Sequence, residues 1–342
     1  MPLESVSIDR LSIRKRLTAA DLRALGDAPR GVTVQFDSTL PHETFETLDR
    51  EFFAHRPDAE FRVYAHHGKE VDLSFLGRMP SLVRFSADCL WTARGVEWVT
   101  RLPRLRDLAI DILDLKDFAF LADLPVELEH LSLGETNSKR PSIASISRFP
   151  NLRTLMLDKQ HKGLDAVGEL HELRELRLWH YSKPDLSFLG RLPKLRRLQV
   201  NLGGGPDFSA IGGATGLREL ELCWIRGLED ISFVRHLVNL ELLIIDRMAG
   251  VRQVPDLSTL ARLKELRLLS LRRLESVKAV ATGPALELLR YFPGESGRLA
   301  EDLEAVLDAP SLRNVRTWIG NRARREAFAT VARERGIEAR VG

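Results

Sequence analysis

Apolar residues recur along this chain with a spacing that neither a long helix nor a plain strand produces. From Leu186 they fall at Leu189, Leu192, Leu195, Leu198 and Val200, three apart until the last step, which is two. The same template fits from Leu73, Val96, Phe118, Ile143, Leu164, Leu186, Phe208, Ile231, Leu257, Val277 and Leu303, giving eleven units at intervals of 20 to 26 residues. The heptapeptide DLSFLGR, at 72–78 and again at 185–191, belongs to units one and six. A period in this range predicts a stack in which each unit covers its neighbour's core.

Each part of the template has a physical meaning. Steps of three match the turn of a 3-10 helix, in which every third side chain points the same way. The closing apolar-x-apolar puts two side chains on one face of a short strand, and the residue between them faces solvent. Asp opens seven units, at Asp72, Asp117, Asp185, Asp207, Asp230, Asp256 and Asp302, where its carboxylate can cap the free amides of the turn. Pro80, Pro103, Pro125, Pro150, Pro193, Pro284 and Pro310 end the turn and bias their predecessors toward extended backbone.

Units such as DLSFLGRLPKLRRLQV resemble those of the bacterial leucine-rich-repeat proteins, the internalin-like short-repeat subclass in particular, over about residues 70 to 320. The resemblance implies an α/β fold: a right-handed solenoid with a parallel sheet on its concave side and short 3-10 turns on its convex side. It also implies a binding scaffold. One feature departs from that family, which usually carries Asn three residues after the second strand leucine. Here the slot holds Gln160, Tyr181, Ile225, Met248 and Leu274, among others.

The ends read differently from the middle. Thr18-x-x-Asp21 opens a short helix carrying Leu22 and Leu25, a strand follows at 32–36, a second helix presents Phe45, Leu48 and Phe52, and a strand returns at 61–65. At the other end Ala323, Ala327, Phe328 and Val331 share a helical face, Gly336 terminates it, and 337–341 alternates as a last strand. The expected organisation is an amino-terminal cap at 1–69, repeats at 70–319, and a carboxy-terminal cap at 320–342.

Composition narrows the class further. The 342 residues are 44% hydrophobic and 29% charged, and no apolar run reaches a bilayer's span. The first twenty residues carry no uninterrupted apolar stretch, so no secretory signal is expected and the reading is cytoplasmic. Arginine outnumbers lysine 41 to 10, as a GC-rich bacterial genome would give. Two cysteines, Cys89 and Cys223, make neither a disulfide framework nor a four-cysteine metal cluster.

The chain carries no phosphate loop, no G-x-G-x-x-G, no G-x-S-x-G and no C-x-x-C, so no enzyme, cofactor or metal is expected. His171-Glu-Leu-Arg-Glu175 reads as a turn leading into a strand, His66-His67 as an exposed pair, and Gly203–Gly205 as a turn.

The solvent positions of the strands are the candidate site. They read Glu175, Arg177, Trp179; Arg197, Gln199, Asn201; Glu219, Glu221, Cys223; Leu242, Ile244, Asp246; and Leu268, Ser270, Arg272. A mixed-sign ladder interrupted by Leu242, Ile244 and Leu268, with Trp and Arg alongside, has the make-up of an interface core. The expected function is a monomeric, non-enzymatic scaffold that binds a protein partner, either as an adaptor or as an inhibitor of the immunity type. The alternative uses the basic end. Residues 311–342 hold eight Arg against three Glu, and Arg316, Trp318, Arg322, Arg324 and Arg325 could meet nucleic acid or an acidic partner.

Overall fold

The computed structural model describes residues 3–7, 9–37, 40–64, 70–138, 141–294 and 299–342, apart from the side chains of Glu4, Ser5 and Cys89. His66, His67 and the Cys89 thiol therefore lie outside the described residues. The chain forms two compact units, 1–170 and 171–342, each built on its own run of strands.

The first unit opens with an antiparallel pair, β1 (Leu3–Ser7) and β2 (Arg10–Ile13), which the repeat pattern did not announce. The parallel strands that follow are β3 (Thr33–Phe36), β4 (Glu60–Tyr64), β6 (Arg84–Leu90), β8 (Asp107–Ile112), β9 (His130–Leu133) and β10 (Thr154–Asp158). Two short strands, β5 (Val71–Asp72) and β7 (Ala93–Arg94), pair separately. The connection from β2 to β3 is helix α1 (Ala19–Gly26), closed by the Thr18–Asp21 capping box. Helix α2 (His42–Leu48) connects β3 to β4 and runs on into a π-turn at Asp49–Phe53. These longer connections carry an aromatic cluster in which Phe45 stacks on Phe75 with centroids 4.5 Å apart, and Phe36 and Phe61 stack at 5.3 Å.

The second unit is a parallel run of β11 (Glu175–Trp179), β12 (Arg197–Asn201), β13 (Glu219–Cys223), β14 (Leu242–Asp246), β15 (Glu265–Leu269), β16 (Leu288–Phe292), β17 (Asn314–Thr317) and β18 (Glu338–Val341). Pairing is in register without a slip. Leu176, Leu198, Leu220, Leu243, Leu266, Leu289 and Val315 therefore stack as one buried row, and Leu178, Val200, Leu222, Ile245, Leu268 and Tyr291 as a second.

The turns follow the leucine spacing directly. In the unit that starts at Leu186, Leu189 N–H donates to Leu186 O at 3.0 Å, Leu192 to Leu189 at 3.2 Å and Leu195 to Leu192 at 3.3 Å. The apolar residues are thus themselves the donors and acceptors of the 3-10 bonds, so their side chains eclipse into one file toward the core. Ten of the eleven predicted units contain a 3-10 helix. The unit at Leu257 keeps only single turns, yet makes the same bonds, Leu260 to Leu257 and Leu263 to Leu260.

Six of the seven predicted Asp caps form. Asp72, Asp117, Asp185, Asp207, Asp230 and Asp256 each accept the N–H two residues on, at 2.7 to 3.1 Å. Asp302 differs and reaches back to the preceding repeat, accepting from Val277 N at 2.9 Å.

Among the described residues α-helices occur only before Val71 and after β17, and no helix is long and apolar enough to cross a membrane. Helix α3 (Arg322–Glu334) is capped by Asn321, whose Oδ1 accepts from Arg324 N at 2.9 Å. Its buried residues are Phe328 and Ala332, while Ala323 and Ala327 are exposed. The helix is rolled relative to the face expected from sequence. An i,i+4 aromatic–small pair reaches the core, whereas alanines on the flank have too little surface to direct it.

Two predictions follow from this packing. Leu198→Ala or Leu220→Ala leaves a cavity shared by neighbouring repeats and should cost about 2 to 5 kcal/mol, whereas Gln199→Ala, on the solvent side, should cost under about 1 kcal/mol in chemical denaturation. The second concerns acid. The capping N–H holds Asp72, Asp185, Asp207 and Asp230 below the ordinary carboxylate range, and in Asp256 the Ser258 hydroxyl is the chief cause. A carboxyl depressed in the folded chain binds protons more readily when unfolded, so its stabilisation is complete above the unfolded value near about 3.9 and is lost as pH falls through the folded values. Melting temperature should fall below about pH 4, and a variant with Asp207→Ala and Asp230→Ala should show a shallower fall.

Candidate functional site

On β11–β14 the strands alternate buried and half-buried residues. The solvent face carries three rows: Glu175, Arg197, Glu219 and Leu242; then Arg177, Gln199, Glu221 and Ile244; then Trp179, Asn201, Cys223 and Asp246. The structure brings together eight of the residues picked out by sequence: Glu175, Arg177, Trp179, Arg197, Gln199, Glu221, Leu242 and Ile244.

Charges in these rows are matched locally. Arg177 pairs with Glu175 at 2.6 Å, Arg197 pairs with Glu219 on the next strand, and Gln199 Nε2 donates to Glu221 at 2.9 Å. Beside this paired ladder Leu242 and Ile244 remain partly exposed with no polar function of their own. In the third row the Trp179 indole N–H and the Asn201 side-chain oxygen, on paired strands, are buried without a hydrogen-bond partner among the described residues. Between β12 and β14 the face dips by only about 20 Å³, room for about one water and not for a small-molecule ligand.

Two sequence assignments on this face need correction. Leu268 is not on it: the side chain is fully buried, paired in register with Ile245 and Tyr291. The solvent residues of β15 are Glu265, Arg267 and Leu269. Counted from Leu257 the inward pair is Leu269 and Leu271, three residues beyond the Leu266 and Leu268 that the structure buries, and a displacement by an odd number exchanges the two faces of a strand, which makes Leu268 core and Arg267 surface. Arg272 is exposed, but in the turn after β15 and not in the strand rows, and Ser270 occupies a left-handed turn position. The slot at Leu274 moves for the same reason, and Leu271, 1% exposed, stands where Tyr181, Ile225 and Met248 stand in other repeats.

The basic end separates into two elements. Arg316 lies on β17 and Trp318 directly follows that strand, 54% exposed. Arg322, Arg324 and Arg325 lie on α3. Arg322 pairs with Glu326 at 2.8 Å, and Arg324 donates to the Ala300 carbonyl at 3.1 Å, so Arg324 braces the fold.

Sequence reading missed the residues immediately beyond the strands. Lys159, His180, Leu202, Trp224, Arg247 and Ser270 all have φ between 52° and 66°, each two residues after the second strand apolar. In the second unit their N–H groups form a ladder to the next strand: His180 to Asn201 O, Leu202 to Cys223 O, Trp224 to Asp246 O, Arg247 to Leu269 O and Ser270 to Phe292 O, at 2.7 to 3.0 Å. This ladder does the work of the missing Asn. It also places Leu202 and Trp224 on the surface, with Arg247 over the Trp224 ring at 5.7 Å. Counting two residues past each strand would have found them.

His171 sits in an exposed turn, and the 3-10 helix that follows Gly203–Gly205, Ser209–Gly213, already has its Ser209 N–H taken by the Asp207 carboxylate at 2.8 Å.

Comparison with known proteins yields likeness of fold. No protein-family model and no curated protein matches the chain. Among solved structures, an internalin (inlF) of Listeria monocytogenes is similar over 90% of this chain and 86% of its own, at 13% identity and a TM-score of 0.58. The TLR13 chain of a TLR13–ssRNA13 complex is similar over 89% of this chain and 49% of its own, at 17% identity and a TM-score of 0.58. The fold is a leucine-rich-repeat solenoid.

Within the solenoid face the Cys223 thiol is poorly placed to react. Burial, with the Asp246 carboxylate 3.5 Å from its sulfur, pushes its pKa up to about 11. In a Cys89→Ser variant, alkylation of Cys223 at pH 8 should be slow in buffer and fast in denaturant; equal rates would contradict the half-buried placement.

Proposed function

We propose that this protein is a non-enzymatic scaffold that holds a protein partner on the solvent face of β11–β14. The observation that carries the reading is the pair Leu242 and Ile244, apolar and partly exposed in sheet rows whose members on β11–β13 are polar or charged. Aromatic and arginine side chains such as Trp179 and Arg177 serve as anchors, and the matched charges set register. The shallow face suits a macromolecule better than a metabolite. Residues 1–69 and 320–342 act as covers for the exposed core at the ends of the array, in keeping with their α-helical connections. Adaptor and inhibitor are the two roles open to such a scaffold, and the activity of the captured partner, measured with and without the scaffold, separates them.

The test is capture from nuclease-treated lysate by wild type and by Ile244→Asp. Loss of the partner with a melting temperature within a few degrees of wild type supports the reading. Unfolding of Ile244→Asp would show that the side chain is core, in which case Trp179→Ala serves as the second variant. If nuclease alone removes the partner, nucleic acid is the ligand and the alternative through the basic end gains.

A further inference from the structure

The rows continue onto β15–β18, where the second row changes character. After Ile244 it reads Arg267, Arg290, Arg316 and Arg340, four arginines paired in register on four consecutive strands. Adjacent strands are about 4.8 Å apart, so the guanidinium row extends about 14 Å. Like charges set directly opposite one another destabilise a sheet, and the compensation here is incomplete. The Glu265 carboxylate serves two of them, Arg267 at 2.7 Å and Arg290 at 2.9 Å, and Glu338 serves Arg340 at 2.8 Å. Arg316 has no ion-pair partner among the described residues, and its Nε is buried without an acceptor. Four cations thus share two carboxylates. Beside them the third row is apolar, with Leu269 half-exposed, Phe292 38% exposed and Trp318 just beyond β17.

We propose that this part of the face takes an extended acidic segment of a polypeptide partner, laid across the strands with its carboxylates on the arginine row. The inference rests on the scaffold reading above and specifies the chemistry of what is bound. Side chains on one side of an extended chain recur about every 6.7 Å, so three carboxylates cover about 13 Å, close to the length of the row. Bidentate arginine contacts would replace the single carboxylate contacts now shared between neighbours. The segment's apolar residues would meet Leu269, Phe292 and Trp318. A polyphosphate strand suits the surface less well, because Glu265 and Glu338 stand within the basic field and would face phosphates, whereas a polypeptide brings amide donors for them.

The experiment is fluorescence anisotropy at low salt with a labelled peptide of alternating Glu and Ala, about twelve residues long, beside a Lys–Ala peptide and an oligo(dT) of matching length. The Glu–Ala peptide should bind, the Lys–Ala peptide should not, and binding should weaken as salt rises. Arg290→Gln with Arg316→Gln should weaken it at least about ten-fold, as should Trp318→Ala, with melting curves confirming that each variant is folded. Failure of the Glu–Ala peptide to bind, or equal binding by the double variant, overturns the inference. So does tighter, arginine-dependent binding of oligo(dT), which would assign the row to nucleic acid. The scaffold reading is tested separately: capture that is sensitive to Ile244→Asp but accompanied by no peptide binding removes only the acidic-segment inference, and peptide binding without any captured protein removes the broader one.

Discussion

Each repeat depends on a backbone hydrogen bond from one apolar residue to the apolar residue three positions before it. Because donor and acceptor are the core residues themselves, as in Leu189 to Leu186 and Leu192 to Leu189, the turn cannot form without aiming its side chains inward. The strand then adds two more, Leu198 and Val200, and in-register pairing stacks them on Leu176 and Leu178 of one neighbour and Leu220 and Leu222 of the other. Local bonding and long-range packing therefore fix the same side-chain directions. That agreement explains how strand positions spaced 22 to 26 residues apart fit one sheet without a slip in the second unit: extra residues are absorbed between strand end and turn, outside the bonded leucine file.

The absence of the Asn ladder is resolved by backbone geometry. A non-glycine residue in the left-handed region costs roughly 1 kcal/mol or more, and the second unit accepts this at five successive repeats, from His180 to Ser270. What offsets it is the N–H that each such residue turns toward the next strand's last carbonyl. The slot that Asn would have filled is then free to be apolar. Tyr181, Ile225, Met248 and Leu271 occupy it in four of the repeats and each extends the buried core by one more side chain. Leu202 and Trp224 reach solvent as a consequence of the same turn.

A sheet whose core face is fixed by leucine leaves its other face open to other demands. On β11–β13 that face is mostly paired charge, on β14 it carries Leu242 and Ile244 beside Asp246, and on β15–β18 it carries arginine in excess of its carboxylates. The fold does not require that sequence of characters, since buried rows of the same composition support all three. The variation lies where the structure is indifferent to side-chain chemistry, which is where selection for binding can act.

The sequence by itself determined the repeat, its 3-10 turns, its strands and most of its Asp caps, because those features depend on residues within one unit and on periods that can be counted. It also placed Leu242 and Ile244 on the solvent side, since both follow from a template anchored at Ile231. It misplaced Leu268 because Leu266-Arg-Leu268 and Leu269-Ser-Leu271 are two overlapping apolar-x-apolar pairs, and a template counted from Leu257 falls on the second. Only register against Ile245 and Tyr291 decides it. The left-handed ladder and the arginine row were likewise beyond sequence reading. The first is a backbone conformation carried by Leu, Trp, Arg and Ser without a shared residue type. The second unites residues 267, 290, 316 and 340, more than twenty positions apart, which become neighbours only when the strands pair.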